Sequence, residues 1–381
     1  MPQLSPRVQE LMQPHLRELD VYDPNFTPTR VNLSANENTY DVPPVARAAI
    51  DAVLAATHTN RYPDPLSNEL RDELAAWHGT DRTHLIVGNG GDELLYNFLL
   101  AFGGPGRTLA ICPPTFSEYA FFASVTQTAL SEVWRDSDTM LPDAEQLVAA
   151  AREANLVILT SPNNPTGDLA SPDLVRALCE ACPGLVMVDE AYVEFACPGS
   201  SCEPLLAEYD NLVVLHTLSK AFALAGARCG YALAAPDVIE ALAAVRQIYS
   251  VNVLTQAAAL TAVRRRADFE PTVATIVSER ARVLAGLGEL ARTRELRVWP
   301  SEGNFLLVRV PGASRVRERL RDERSILVRD FSYAPGLADC LRITVGTPEE
   351  NDAVLAGLAE LVPEGARTVG AHDPEEGMPH A

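Results

Sequence analysis

Five stretches of this chain, residues 83–87, 108–112, 155–160, 184–188 and 211–217, are almost continuously apolar and end in turn-rich or polar residues. Strands apolar along their whole length are buried on both faces. Alternating with segments of helical spacing (45–56, 68–78, 93–101 and 172–182), they imply a mainly parallel sheet covered by helices on both sides. Such sheets bind ligands beyond the carboxyl ends of their strands. The chain sets Asp92, Phe116, Asn164, Asp189 and Lys220 at those ends.

After about residue 235 the texture changes. Helical spacing runs over 237–246, 256–266 and 269–290. Short strands are expected at 296–299, 304–310, 325–328 and 340–345, with helices at 314–322 and 348–362. The expected organisation is an arm and part of a small domain over 1–42, a large domain over 43–260 and a smaller α+β domain over 261–364. A disordered polar tail over 365–381 completes it.

Composition narrows the partners. With 31 basic against 51 acidic residues the net charge is −20, which argues against nucleic acid and anionic membranes. No apolar stretch is long enough for a membrane span. An anionic substrate must be drawn in by local arginines. Seven scattered cysteines read as reduced thiols in a cytoplasmic protein, and the N-terminus carries prolines and charges in place of an apolar signal core. Cys179 and Cys182 form a C-x-x-C without a second ligand pair, so half-buried helix thiols are expected there and no metal.

The strand ends carry the chemistry. Lys220 closes an apolar run, where a low-dielectric setting favours the uncharged, nucleophilic amine. Asp189 can pair with a protonated pyridine nitrogen, keeping the ring an electron sink. Asn164, in the rigid turn Ser161-Pro162-Asn163-Asn164-Pro165-Thr166-Gly167, can donate to a ring oxygen, and Tyr192 can reach the same oxygen. Arg228 suits a phosphate, as do the Thr217 and Ser219 hydroxyls and the helix start at Gly91 and Asp92. Phe116 can stack on the ring. Each residue alone has a plain structural explanation: a turn, a helix cap, core. Asn164, Asp189, Tyr192, Lys220 and Arg228, at successive spacings of 25, 3, 28 and 8 residues, together match what holding pyridoxal phosphate requires.

With these residues in place, the sequence resembles the fold-type I pyridoxal-phosphate-dependent aminotransferases, and within them the histidinol-phosphate aminotransferase branch. Residues 217–230 (TLSKAFALAGARCG) resemble the branch's cofactor-lysine segment, 32–40 (NLSANENTY) its N-terminal loop and 61–65 (RYPDP) its partner-subunit loop. Residues 303–310 (GNFLLVRV), 327–332 (LVRDFS) and 341–351 (LRITVGTPEEN) resemble its C-terminal blocks. The resemblance implies an α/β fold with a mainly parallel seven-stranded sheet plus a smaller α+β domain, and a homodimer. It implies Lys220 as the Schiff-base and proton-transfer lysine, with Asp189 on the ring nitrogen and Asn164 and Tyr192 on the ring oxygen. Gly91, Asp92, Ser219, Arg228 and the second subunit's copy of Tyr62 would hold the phosphate. Arg342 would bind a substrate carboxylate, and Tyr22, Asn36, Tyr249 and Arg329 would line the substrate pocket, with Arg329 meeting a substrate phosphate.

The implied reaction moves an amino group from glutamate to imidazole acetol phosphate in histidine biosynthesis. An aromatic amino acid aminotransferase and a threonine-phosphate decarboxylase are the rivals on the same fold. A cofactor-binding transcription regulator would need a basic DNA-binding domain that this acidic chain does not display. Thr39, Asp41 and Ile248 depart from residues common in the branch; the first two adjoin the substrate loop.

Overall fold

The computed structural model describes residues 4–17, 19 and 27–365. In chain order its strands are β1 (Val31–Leu33), β2 (Leu85–Gly88), β3 (Thr108–Ile111), β4 (Ala129–Glu132), β5 (Leu156–Thr160) and β6 (Leu185–Asp189). They continue with β7 (Leu212–Thr217), β8 (Gly230–Ala234), β9 (Arg297–Val298), β10 (Phe305–Arg309), β11 (Ile326–Asp330) and β12 (Cys340–Thr344).

Seven strands form one sheet in the order β2-β8-β7-β6-β5-β3-β4. All run parallel except β8, which pairs antiparallel with both β2 and β7. The strands β5 to β8 are buried along nearly their whole length, as continuous apolar runs require. Alternate residues serve opposite faces. Ile158, Met187, Val213 and Leu215 pack with Leu95, Phe98 and Tyr119 on one side. Val157, Val186, Val188 and Val214 pack with Leu147, Ala151, Val175 and Leu178 on the other.

Local sequence sets the covering helices. Helix Pro172–Ala181 begins where the Ser171 hydroxyl accepts from the Leu174 N–H at 3.2 Å, with proline in the first turn. Helix Pro348–Leu361 begins with a reciprocal capping box between Thr347 and Glu350. A second sheet, β1-β11-β12-β10-β9, has β1 parallel to β11 and the remaining pairs antiparallel.

Two strands of the large sheet are not evident from local sequence. β8 reads Gly-Tyr-Ala-Leu-Ala, poor in the branched residues that mark strands, and β4 is a mostly exposed edge strand. The helix expected from residue 93 starts at Gly91, and helices Glu118–Thr126 and Ala144–Glu153 have no counterpart among the expected elements. The 365–381 tail falls, apart from Gly365, outside the described residues. All seven cysteines are unpaired, and only Cys197 is exposed. Among the described residues no helix is long and apolar enough to cross a membrane.

Candidate active site

The sheet brings one set of polar residues to a single edge. β2, β5, β6 and β7 deliver their carboxyl ends there. β8 runs the other way, so its beginning reaches the same edge: Gly230 is in register with Gly88 on one side and Thr217 on the other.

Backbone and glycine build one end of the site. Gly90 has φ +81°, and a Cβ on it would lie 2.6 Å from Arg228 Nη2. A Cβ on Gly230 would lie 2.6 Å from the Gly91 nitrogen. Only glycines allow this contact between the loop after β2 and the start of β8. Helix Gly91–Phe102 starts here with no side-chain cap, so its first N–H groups and the positive end of its dipole face outward. Arg228 stands in the left-handed region at φ +58°. Its guanidinium donates to Asp92 Oδ2 at 2.8 Å and to the Ala225 carbonyl at 3.2 Å. Asp92 itself is an anion, so what it offers a phosphate is its backbone N–H and the orientation of Arg228. The Thr217 hydroxyl lies 3.0 Å from Ser219 Oγ. The cluster gathers donors of the kind that hold a phosphate dianion.

The middle of the site is built from side chains whose outward atoms are set by inward bonds. Asp189 is buried; its Oδ2 accepts from Tyr119 Oη at 2.7 Å and its Oδ1 from the Ala191 N–H at 3.1 Å. Burial pushes its carboxyl up to about 6, against the Tyr119 and Ala191 hydrogen bonds. Arg342 Nη1 donates to Asn164 Oδ1 at 2.6 Å, which leaves the Asn164 amide N–H groups to donate. Asn36 Nδ2 donates to Tyr192 Oη at 3.1 Å, leaving the phenol O–H to donate. Lys220 Nζ lies 3.2 Å from the Ala35 carbonyl and 5.8 Å from the centre of the Tyr192 ring. Phe116 meets Tyr119 edge-on, ring centres 5.6 Å apart.

The small sheet supplies a cationic wall. Arg329 on β11 is directly opposite Arg342 on β12, and opposed residues of an antiparallel pair project from the same face. The Arg342 guanidinium also lies over the rings of Phe305 and Phe331, at 5.6 and 5.4 Å, and donates to the Ser34 carbonyl at 2.6 Å. Tyr62 and Tyr249 stack on each other at 4.5 Å, and Tyr62 is 82 % exposed. Tyr22 lies outside the described residues.

Asn36 enters differently from the pocket-lining role expected of it. It is fully buried at φ +54°. Its Oδ1 accepts from Thr344 Oγ1 at 3.1 Å, and its carbonyl accepts from Asn304 Nδ2 at 3.0 Å. Its contact with the site is the bond from Nδ2 to Tyr192 Oη. Tyr119, Thr344 and Asn304 were not found by reading the sequence. Asn304 and Thr344 do lie in the blocks 303–310 and 341–351, the only signal available. Asp41, where the branch often has glycine, takes φ +61° and is held by its own carboxylate, which accepts from the Val42 N–H at 2.7 Å and from Arg47 at 2.6 Å.

The residues present fit pyridoxal phosphate. A donor cradle closed by Gly90, a buried carboxylate, outward N–H and O–H groups and a lysine amine match its phosphate, ring nitrogen, ring oxygen and aldehyde in kind. Comparison with known proteins agrees. A histidinol-phosphate aminotransferase of Thermoanaerobacter pseudethanolicus is 35 % identical over 356 residues, covering 93 % of this chain and 99 % of that protein. One of Corynebacterium efficiens is 41 % identical over 344 residues, 87 % of this chain and 89 % of that one. The crystal structure of histidinol-phosphate aminotransferase from Sinorhizobium meliloti in complex with pyridoxal-5'-phosphate superposes with a TM-score of 0.83 at 26 % identity. It covers 92 % of this chain and 97 % of that one. The sequence model described as "Aminotransferase class I and II" matches residues 28–358, and the chain belongs to that family of pyridoxal-phosphate enzymes.

Proposed function

We propose that this protein is a homodimeric histidinol-phosphate aminotransferase of cytoplasmic histidine biosynthesis, moving an amino group from glutamate to imidazole acetol phosphate. The observation that carries the reading is the opposition of Arg329 and Arg342 on one face of the small sheet, with Arg342 bonded to Asn164. Two guanidinium groups suit substrates with two anionic ends, a dicarboxylate in one half-reaction and a phosphate ester in the other. The named function of the relatives supports the same substrate pair.

When bound, pyridoxal phosphate supplies the carbonyl that receives the amino group and a cationic ring that draws electrons from the substrate α-carbon. The protein's own residues do the rest. The start of helix Gly91–Phe102, Ser219 and Arg228 hold the phosphate. Asp189 holds the proton of the ring nitrogen, and Asn164 and Tyr192 donate to the ring oxygen. Lys220 Nζ takes the α-proton from the bound amine. Arg342 grips the α-carboxylate and Arg329 the distal anion. Tyr62 reaches a second subunit, a role that its exposure, with Ile248 beside Tyr249 at 74 % exposed, favours.

Steady-state assays with histidinol phosphate, phenylalanine and threonine phosphate test the substrate. Histidinol phosphate is expected to turn over far faster than phenylalanine, with 2-oxoglutarate required. Comparable rates with phenylalanine would replace the reading with an aromatic aminotransferase. Consumption of threonine phosphate without 2-oxoglutarate would replace it with a decarboxylase. Lys220→Ala should lose the cofactor's absorbance band at the visible edge and lower turnover by roughly 10²–10⁴-fold.

A further inference from the structure

Asp189 faces a conflict. To hold a protonated ring nitrogen it must be ionised, yet it is buried, where an ionised carboxylate is costly. Two donors offset that cost. The Ala191 N–H belongs to the backbone and any residue there supplies it. The Tyr119 hydroxyl is different. Tyr119 is fully buried in helix Glu118–Thr126, packed in the core with Ile158, Met187 and Phe98. Packing alone asks for phenylalanine at such a place. The added oxygen has two partners, Asp189 Oδ2 and Thr160 Oγ1, both at 2.7 Å.

The proton count fixes the direction of these bonds. An ionised carboxylate only accepts, so Tyr119 donates to Asp189 and the Thr160 hydroxyl donates to Tyr119. Thr115 Oγ1, 3.2 Å from Thr160 Oγ1, spends its own proton on Asn163 Oδ1 at 2.7 Å. The chain of donors therefore runs from Thr160 through Tyr119 to the carboxylate, and the Thr115–Thr160 approach, with both protons spent elsewhere, carries no hydrogen bond. Burial and the Asp189 charge hold the Tyr119 phenol well above its ordinary range, so it remains a donor. The other ionisable groups acting on this pair are Lys220, which favours the Asp189 anion, Asp92, which opposes it, and Tyr192 beside the Tyr119 phenol.

We propose that Tyr119 is a positioning residue for the transamination: its hydroxyl, oriented by Thr160, keeps Asp189 ionised and aimed at the ring nitrogen of pyridoxal phosphate. This rests on the reading that Asp189 faces that nitrogen. A hydrogen bond to the charged form of a buried group favours that form. Without it the proton shared between Asp189 and the ring moves toward the carboxylate, and the ring loses its cationic character.

The test uses holoenzyme reconstituted with pyridoxal phosphate labelled with ¹⁵N in the ring, titrated by NMR. Wild-type protein, Tyr119→Phe, Thr160→Val and Asp189→Asn are compared. The wild-type ring nitrogen should remain protonated from pH 6 to 9, and in Asp189→Asn it should be neutral. In Tyr119→Phe its titration midpoint should fall by about 1–2 pH units, the size of a lost hydrogen bond to a charged group. Turnover should drop about tenfold with little change in KM for the amino donor. Thr160→Val should move the midpoint the same way by less, and it decides the matter should Tyr119→Phe fail to fold. Curves for both variants that coincide with wild type, while Asp189→Asn shifts, would reduce Tyr119 to a packing residue. An unshifted Asp189→Asn curve would overturn the assignment of Asp189 itself, and the role of Tyr119 with it.

Discussion

Asp189 and Glu190 are adjacent, both buried, and each accepts two hydrogen bonds, yet they belong to opposite faces of the large sheet. In front, Asp189 has Tyr119, the Ala191 N–H and the charge of Lys220. Behind, Glu190 accepts from the Ser201 hydroxyl at 2.6 Å and the Cys202 N–H at 2.5 Å. The nearest histidine nitrogen there, His216 Nε2, lies 3.8 Å away, too far for a hydrogen bond. Burial pushes the Asp189 carboxyl to about 6 and the Glu190 carboxyl to about 7. Beyond Glu190 the polar groups bond to one another beside a cavity of about 870 Å³ lined by His78, Ser201 and Glu203. His78 bridges Glu203 and the Tyr231 hydroxyl at 2.8 and 3.0 Å, and His216 stacks on Tyr231 at 5.1 Å. Burial alone does not make a functional carboxylate. The front differs in having a neighbouring lysine, Lys220, whose charge favours the Asp189 anion.

The largest expected difference between the two sides is in turnover. Asp189→Asn should lower kcat on the order of 10²–10³-fold, as loss of one preorganised electrostatic partner does. Glu190→Gln should leave kcat within about threefold, because Glu190 touches only the back network. Equal losses in steady-state assays would erase the distinction.

A smaller effect is expected in the pH dependence of stability. Burial raises Glu194 to about 8, with Glu190 adding to the shift, and its Oε2 has no hydrogen-bond partner. A carboxyl raised on folding binds protons that the unfolded chain has released. Its stabilising contribution is whole below the unfolded value and is lost as pH rises through the folded one. The wild type should therefore weaken between pH 5.5 and 8, and Glu194→Gln should weaken less. Urea midpoints of cofactor-free protein at both pH values measure this; parallel losses would place the sensitivity elsewhere.

The smallest effect belongs to His216. Burial, reinforced by His78, lowers it to about 3, so its contribution is present above pH 6.5 and lost as pH falls. His216→Phe keeps the stack on Tyr231 and should change stability at pH 8 by less than about 1.5 kcal/mol. It should also soften the decline between pH 6.5 and 5. A variant with unaltered acid sensitivity would deny His216 that role.

What could be read from the sequence follows the same division. Lys220, Asp189 and Asn164 each follow an apolar strand, so a local pattern marks both the strand and the residue at its end. Tyr119 carries no such mark: it lies in the first turn of its helix, 70 residues from Asp189, and looks like any core aromatic. The bond from Arg342 to Asn164 spans 178 residues and joins the two sheets, a relation no local pattern holds. β8 escapes a local reading because alanine and glycine hide a strand, although Gly230 is needed for its closeness to the loop after β2.

The reversed direction of β8 has a mechanical consequence. Lys220 and Arg228 lie on the one loop that joins β7 to β8. That loop is braced by bonds from the Leu218 N–H to Cys229 O, the Leu224 N–H to Leu218 O and the Thr255 hydroxyl to Ala227 O. It works as a calliper for the backbone: the spacing of Lys220 and Arg228 along the chain is set inside a single clasp that belongs to the large sheet. The Lys220 amine itself, bonded to the Ala35 carbonyl just after β1, is tied to the small sheet as well, so the tip of the calliper is where the two sheets meet.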